Sequence, residues 1–129
     1  PRKAIADALD LANIKVAQLS FAEVHDCFTI AELLIYEAMG LAPAGEGYRA
    51  IKEGVVYRDG DLPINVSGGL KAKGHPIGAT GVSRHALAYR QLTGQAGAMQ
   101  LEAPQFGLVF NMGGTGVANY ASILEARRS

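Results

Sequence analysis

Glycine is concentrated in two short stretches of this sequence, and this clustering constrains the fold more than any other feature. Sixteen of the 129 residues are glycine, against about 7% in an average protein. Five of them lie within residues 65–81, NVSGGLKAKGHPIGATG, and three lie within residues 113–116. Glycine permits backbone conformations and close approaches that other residues resist. The clusters therefore predict two places at which the backbone itself takes part in packing or ligand binding.

The overall composition is that of one globular domain. Hydrophobic residues make up 49% and charged residues 19%, which excludes the disordered and fibrous classes because those are poor in apolar residues. The 12 basic and 12 acidic side chains cancel, so we expect neither nucleic acid nor a membrane as a partner. No apolar run reaches the ~18 residues of a membrane span, and the final residues, ARRS, are not a peroxisomal signal. We therefore expect a cytoplasmic location.

The hydrophobic pattern predicts an α/β fold in which helices cover a mixed sheet that ends in an antiparallel pair of strands. Asn13 and Gly40 are placed to end the first two helices. Because the chain opens with a helix that needs a sheet to pack on, we expect residues 1–129 to be the later part of a larger α/β unit. The predicted helices cover residues 2–12, 29–39 and 79–93, and the predicted strands cover residues 20–24, 55–57, 62–64, 106–111 and 117–124.

Residue spacing also predicts local detail. Thr29 and Glu32 have the spacing of a capping box at the start of the second helix. The segments 55–57 and 62–64 flank Asp59-Gly60, a dipeptide typical of a hairpin turn. The residues predicted to face the core are Ile5, Ala8, Leu9 and Ala12 in the first helix, Ile30, Leu33 and Leu34 in the second, and Val82, Ala86, Leu87 and Tyr89 in the third.

The first candidate site is His25-Asp26-Cys27-Phe28, which lies between a predicted strand and a predicted helix. Ligands of open α/β sheets bind at this edge, and a helix N-terminus stabilises a thiolate. The structural alternative is a buried cysteine beside a histidine that caps a backbone group. The single cysteine of the chain, Cys27, excludes an internal disulfide framework.

The second candidate is Gly74-His75-Pro76. Proline restricts its own backbone and that of His75, and a histidine on such a stiff loop is suited to act as a general base. The alternative is a tight connection with a surface histidine. A nucleotide-phosphate loop is excluded because His75-Pro76 stands where Lys-Ser/Thr is required. Lys71 and Lys73 are interpreted as a solvated pair, and the alternative is that they approach an anionic ligand.

The third candidate is the segment 111–116, NMGGTG. A glycine-rich turn between two strands offers backbone N–H groups to an oxyanion, and the alternative is an ordinary hairpin. We interpret His85 as a residue of a helix face. His25, His75 and Cys27 have no carboxylate at metal-ligand spacing, so we expect no metal site.

Taken together, the three segments resemble the C-terminal region of thiolases. The shared order is His-Asp-Cys-Phe, then Asn-x-Ser-Gly-Gly-x4-Gly-His-Pro-x-Gly-Ala-x-Gly, then Asn-x-Gly-Gly. This combination is most similar to the sterol-carrier-protein-type thiolases and their bacterial and archaeal relatives. The resemblance runs from about residue 2 to about residue 124, and it identifies residues 1–129 as a partial thiolase C-terminal domain.

The resemblance implies an acyl-CoA acyltransferase that performs thiolysis of 3-ketoacyl-CoA or Claisen condensation of acetyl-CoA. It implies that His75 activates a nucleophilic cysteine and that His25 orients a water in an oxyanion hole. Cys27 matches the acid/base cysteine of the sterol-carrier type, because Asn111 stands where other thiolases have a cysteine. Gly113, Asn111, Gly68 and Gly69 are the implied oxyanion and substrate-binding residues. Coenzyme A thioesters are the implied substrates, without a further cofactor.

One departure concerns the nucleophile. In thiolases it lies in the N-terminal half, and this sequence has only Cys27. We therefore expect a companion N-terminal half, in an oligomer, before the chain is active. Two alternatives stay open. One is a catalytically silent thiolase-like subunit or scaffold, and the other is a component of a thiolase-like retro-aldolase.

Overall fold

The computed structural model of the protein describes residues 1–127, so the predictions that include residues 128 and 129 extend beyond the described part of the chain. A strand separates the first two helices, four helices follow that strand in succession, and two strands end the described order. Short 3₁₀ turns cover Val16–Gln18 and Gly97–Met99. The elements are α1 (Arg2–Ala12), β1 (Phe21–Glu23), α2 (Thr29–Met39), α3 (Tyr48–Lys52), α4 (Gly69–Lys73), α5 (Thr80–Leu92), β2 (Phe106–Gly113) and β3 (Ala118–Glu125).

The strands form one mixed sheet in the order β1-β2-β3. β1 runs parallel to β2, with Ala22 opposite Leu108. β2 runs antiparallel to β3, with Val109 opposite Ser122. The predicted α/β class and the predicted antiparallel pair are therefore confirmed. Because β1 and β2 point the same way, their carboxyl ends meet at one edge of the sheet.

Side chains of β2 alternate between the two faces of this sheet. Leu108 and Phe110 are fully buried in the larger core, which α1 and α2 cover. Val109 points to the other face, where it packs with Ala88 of α5. The molecule therefore has helices on both faces of the sheet, with α1 and α2 on one face and α5 on the other.

Both predicted helix ends are confirmed. Asn13 follows α1 with φ of 54°, and Gly40 follows α2 with φ of 80°. These are left-handed conformations that asparagine and glycine adopt more readily than other residues.

The predicted inward face of α2 is wrong for Ile30 and Leu34, whereas Leu33 is half-buried against the core as predicted. Ile30 and Leu34 are 59% and 53% exposed, whereas the buried side chains are Ala31, Ile35, Tyr36 and Met39. The capping box is also wrong, because Phe28 is the N-cap and no side chain caps the helix. The physical reason is that α2 carries apolar residues on two sides, so spacing alone cannot identify the side that meets the sheet.

The predicted face of α5 is wrong for a different reason. Val82 and Tyr89 are 73% and 57% exposed, and Ala86 is exposed as well. In α1, Ala12 is likewise exposed rather than buried. The buried side of α5 includes a charged residue, Arg84, which a search for apolar periodicity rejects. The buried residues of this helix are Thr80, Arg84, Ala88 and Gln91.

Residues 55–64 do not form the predicted hairpin. The N–H of Leu62 donates to the carbonyl of Val55 at 2.9 Å, and that of Ile64 donates to Val56 at 3.0 Å, but neither segment is a strand. Ile64 instead forms an isolated parallel bridge with Ala22 of β1. Within residues 1–127, none of the helices has the length and apolar content needed to cross a bilayer.

Candidate functional site

A cavity of about 940 Å³ lies at the edge of the sheet where β1 and β2 end. The connection from β1 to α2, the loop before α5 and the end of β2 all contribute to its wall. Parallel pairing of β1 with β2 explains why segments far apart in the sequence meet here. The polar and thiol-bearing side chains in the wall are His25, Cys27, His75, Thr80, His85, Asn111 and Tyr120.

The imidazole rings of His25 and His75 are in contact. Their centroids lie 5.0 Å apart and the planes meet at 80°, an edge-to-face arrangement. His25 is 5% exposed. Burial lowers the pKa of His25, and the positive charge of Arg84 lowers it further, whereas a hydrogen bond with Asn111 opposes this shift. The neutral form of His25 is therefore favoured at neutral pH.

The hydroxyl of Thr80 orients the ring of His75. Nδ1 of His75 lies 2.7 Å from Oγ1 of Thr80, and that hydroxyl donates its hydrogen to the carbonyl of Pro76 at 3.1 Å. Because the hydroxyl has only one hydrogen, its oxygen accepts the bond from Nδ1 of His75. In the neutral ring Nε2 of His75 then carries no proton, which is the tautomer required of a general base at that nitrogen.

Asp26 joins the first candidate segment to two other elements. Its carboxylate accepts the N–H of Leu70 at 2.9 Å and the Nη2 of Arg84 at 2.9 Å. Asp26 and Arg84 are 3% and 0% exposed. Within the described residues, Nε and Nη1 of Arg84 have no hydrogen-bond partner. The amino-acid pattern does not predict this pair, because a charge on the buried side of a helix gives no apolar periodicity.

A second polar cluster lies near Asp26. The hydroxyl of Ser67 donates to Oε2 of Glu23 at 2.9 Å, and Nζ of Lys73 lies 3.5 Å from the same oxygen. Burial lowers the pKa of Lys73, and the negative charge of Glu23 opposes the shift. Lys73 is therefore half-buried and paired, and its interpretation as one of a solvated pair is wrong. Lys71 is exposed, and its Nζ approaches the carbonyl of Cys27 at 3.4 Å.

Asn65 links the end of β1 to α2. Its Oδ1 accepts the N–H of Val24 at 2.8 Å, and its Nδ2 donates to Oε1 of Glu32 at 2.8 Å. Burial raises the pKa of Glu32. Asn65 has φ of 52°, a conformation that asparagine tolerates. The sequence shows an asparagine at the start of the glycine-rich stretch, but it does not show the hydrogen-bond partners of Asn65, because they are distant in the sequence.

The glycine-rich segments have two different surroundings. Gly113 and Asn111 lie in the wall of the cavity, whereas its wall does not include Gly68 or Gly69 among the described residues. Gly69 is buried with φ of 62°, and a Cβ at this position would overlap the carboxylate of Asp26. The structure therefore gives Gly69 a packing function against Asp26 rather than a place at the cavity.

His85 lies on the exposed side of α5, as expected, but it also borders the cavity. Its Nδ1 donates to the carbonyl of Gly81 at 2.7 Å, and its Nε2 lies 3.1 Å from Oγ of Ser122. Cys27 is half-buried in the cavity wall. In the part of the chain from residue 1 to residue 127, no three histidine, cysteine or acidic side chains are arranged to bind a metal ion.

Comparison with known proteins gives concordant results. A family model described as "Thiolase C-terminal domain-like" matches residues 1–126. An acetyl-CoA acetyltransferase of Methanothermobacter thermautotrophicus is 45% identical over 113 residues, which are 88% of this chain and 30% of that protein. Sterol carrier protein 2 of Homo sapiens is 38% identical over 112 residues, or 87% of this chain and 20% of that protein.

A solved structure titled "Ltp2-ChsH2(DUF35) aldolase" superposes with a TM-score of 0.83 and 26% identity, over 97% of this chain and 31% of that one. This chain thus spans between 20% and 31% of the length of these similar proteins. The family match extends over nearly all of the sequence, and the fold matches part of the solved aldolase structure. The chain belongs to the thiolase C-terminal domain-like family.

Proposed function

We propose that this chain is the C-terminal portion of a thiolase-type acyl-CoA acyltransferase and that an N-terminal portion supplies the nucleophilic cysteine. The observation that carries this proposal is the meeting of His25, Cys27 and His75 at one cavity. A scaffold has no physical need for two imidazoles and a thiol at one place. The short share of each similar protein that this chain spans agrees with a missing portion.

His75 is the proposed base for the incoming nucleophile. Thr80 holds the proton at Nδ1 of His75, so Nε2 accepts the proton of a cysteine thiol supplied by the N-terminal portion. The thiolate then attacks the 3-keto carbon of a 3-ketoacyl-CoA thioester. An imidazole adjacent to a thiol is a common way of forming such a thiolate.

Cys27 is the proposed acid and base at the substrate α-carbon. When the bond between C2 and C3 breaks, the electron pair remains on C2, and the thiol of Cys27 gives its proton to that carbon. Acetyl-CoA leaves, and the shortened acyl group stays on the nucleophile. A second CoA then gives its thiol proton to the Cys27 thiolate, and the CoA thiolate takes the acyl group from the nucleophilic cysteine. The nucleophilic cysteine leaves as a thiolate and recovers its proton from His75, which restores both thiols and the neutral imidazole.

Negative charge develops on a carbonyl oxygen at each of these steps. The backbone N–H of Gly113 is the proposed donor at one oxyanion site, and His25 acts at the other through a bound water. Donors aimed at developing charge commonly make a large contribution to catalysis. Since thiol and imidazole groups complete the sequence of steps, the proposal requires no cofactor beyond the CoA thioester.

The second candidate function is aldol cleavage. The superposition with a structure titled as an aldolase, at a TM-score of 0.83, supports it. Both reactions break a carbon–carbon bond beside a thioester, but aldol cleavage needs no covalent acyl group. The presence of Cys27 in the wall of a cavity that two histidines also line favours acyl transfer, so trapping of a covalent acyl group separates the two functions.

The test is a fusion in which residues 1–126 replace the matched segment of the Methanothermobacter acetyltransferase. We expect the fusion to cleave acetoacetyl-CoA with CoA, and the His75→Ala and Cys27→Ala variants to lose this activity while they remain folded. A folded fusion that forms no acyl-enzyme and no product would support a silent subunit. Release of an aldehyde or ketone from a 3-hydroxyacyl-CoA, without an acyl-enzyme, would support the aldolase.

A further inference from the structure

We propose that Asn111 is a positioning residue that holds His25 in the tautomer protonated at Nδ1, so that Nε2 of His25 acts as a proton acceptor. The consequence for catalysis rests on the function proposed above. The tautomer itself is a property of the chain, whether or not the chain transfers acyl groups.

The two residues meet because of the sheet. His25 lies two residues after β1, and Asn111 lies near the end of the parallel strand β2. Nδ1 of His25 and Oδ1 of Asn111 are 3.3 Å apart, although 86 positions separate the residues in sequence. Asn111 is opposite Tyr120 in the pairing with β3, so strand pairing on that side fixes its backbone.

An amide oxygen only accepts hydrogen bonds, so a bond between Oδ1 of Asn111 and Nδ1 of His25 requires the proton to be on Nδ1. His25 is 5% exposed, and its surroundings favour the neutral ring. A neutral imidazole carries a single N–H proton. Nε2 of His25 is then the nitrogen with a free lone pair.

The side chain of Asn111 lies close to the backbone of Gly81 on α5. Gly81 lies so close to Nδ2 of Asn111 that a Cβ at position 81 would overlap this atom. The absence of a side chain at Gly81 therefore gives the Asn111 amide the space that it occupies. With Nδ2 against Gly81, Oδ1 is the amide atom that reaches His25.

The other two histidines have the same tautomer, for independent reasons. Nδ1 of His85 donates to a backbone carbonyl, which can only accept. Nδ1 of His75 donates to Thr80, whose hydrogen is engaged with Pro76. The tautomers of His75 and His85 therefore serve as internal controls when Asn111 is replaced, because only the tautomer of His25 depends on Asn111.

A ring that accepts at Nε2 cannot itself donate a hydrogen bond to an oxyanion. It can accept one hydrogen of a water, whose second hydrogen is then available to the developing negative charge. Asn111 therefore determines that His25 contributes through water rather than directly. The charged and titratable groups that act on His25 are Arg84, His75 and Asp26.

The test is nitrogen NMR of the ¹⁵N-histidine-labelled full chain at about pH 8, above the ordinary histidine pKa of about 6.5. Single-histidine variants assign the three rings. We expect the proton of His25 on Nδ1 in the wild type, and a shift toward Nε2 in Asn111→Ala, with His75 and His85 unchanged. A wild-type proton on Nε2, or an unchanged His25 in Asn111→Ala, would overturn the proposal.

The variant Asn111→Asp covers the case in which Asn111→Ala does not fold. Aspartate keeps an acceptor of similar shape and adds a negative charge, so we expect the Nδ1 tautomer to persist and the pKa of His25 to rise. A proton that moves to Nε2, or a pKa that falls, contradicts the inference. In the active fusion, Asn111→Asp should move the acidic limb of the kcat/KM profile to higher pH. An inactive fusion overturns the proposed function alone, because the NMR result needs no turnover.

Discussion

At the residue scale, two side chains of α5 support the groups that the motifs supply. Thr80 orients His75 through a 2.7 Å hydrogen bond. Arg84 pairs at 2.9 Å with Asp26, which lies between His25 and Cys27 in the sequence. Neither has a place in an apolar pattern, so the sequence predicted the histidines and the cysteine but not what holds them. The presence of Thr80 within the glycine-rich stretch was visible, but its partner was not.

Replacement of Thr80 by valine should impair His75 without unfolding the protein. Valine keeps the shape of threonine and removes the acceptor for Nδ1, so both tautomers of His75 become populated. We expect kcat of the fusion to fall about tenfold, less than the roughly 10²–10⁴-fold that a general base contributes. Thr80→Ser is the matched control and should keep most activity. Equal kcat in Thr80→Val and wild type, at equal Tm, would show that the hydroxyl does not orient His75.

Replacement of Arg84 by methionine should be strongly destabilising. Arg84 is 0% exposed, and its loss leaves the buried carboxylate of Asp26 without a cationic partner, at an expected cost of about 3–5 kcal/mol. Urea unfolding of the chain measures this loss, and Asp26→Asn in the same chain should restore part of it. Lys3→Met breaks the exposed pair with Asp7 and should change little. If Arg84→Met and Lys3→Met lowered the free energy of unfolding by similar amounts, the account of the buried pair would be contradicted.

At the element scale, the order and type of the main helices and strands could be predicted, but the helix faces could not. Periodicity located α1, α2, α5 and the final strand pair because each has a regular apolar pattern. Periodicity did not identify the buried face of α2, because Ile30 and Leu34 form a second apolar stripe that is exposed. It also failed to predict α4, whose five residues are too few to show a period.

The start of α4 depends on a glycine for two separable reasons, which a pair of substitutions can distinguish. Gly69 and Gly40 both have positive φ, 62° and 80°, but only Gly69 lies against a side chain, that of Asp26. Gly40→Ala should cost about 1 kcal/mol through backbone strain alone. Gly69→Ala should cost clearly more, because the new Cβ overlaps the carboxylate that also binds Arg84. Equal losses in denaturant unfolding would mean that Asp26 moves aside without cost.

At the scale of the whole molecule, the sequence predicted which segments meet but not how they are held. The His-Asp-Cys segment, the Gly-His-Pro loop and the Asn-x-Gly-Gly segment do border one cavity. The placement of Gly68 and Gly69 away from its wall could not be foreseen, because glycine serves turns, close packing and ligand binding alike. Contacts such as that of His25 with Asn111 depend on strand pairing over 86 positions, which local patterns do not contain.

The most direct test of the central proposal follows the α-hydrogens of acetyl-CoA in D₂O with the active fusion. If Cys27 is the acid and base at the α-carbon, wild type should exchange these hydrogens for deuterium. Cys27→Ala should lose exchange by at least about 100-fold and still form an acyl-enzyme on the nucleophile of the N-terminal portion. His75→Ala should instead lose the acyl-enzyme. Exchange by folded Cys27→Ala at the wild-type rate would contradict the assignment of Cys27 and, with it, the proposed reaction.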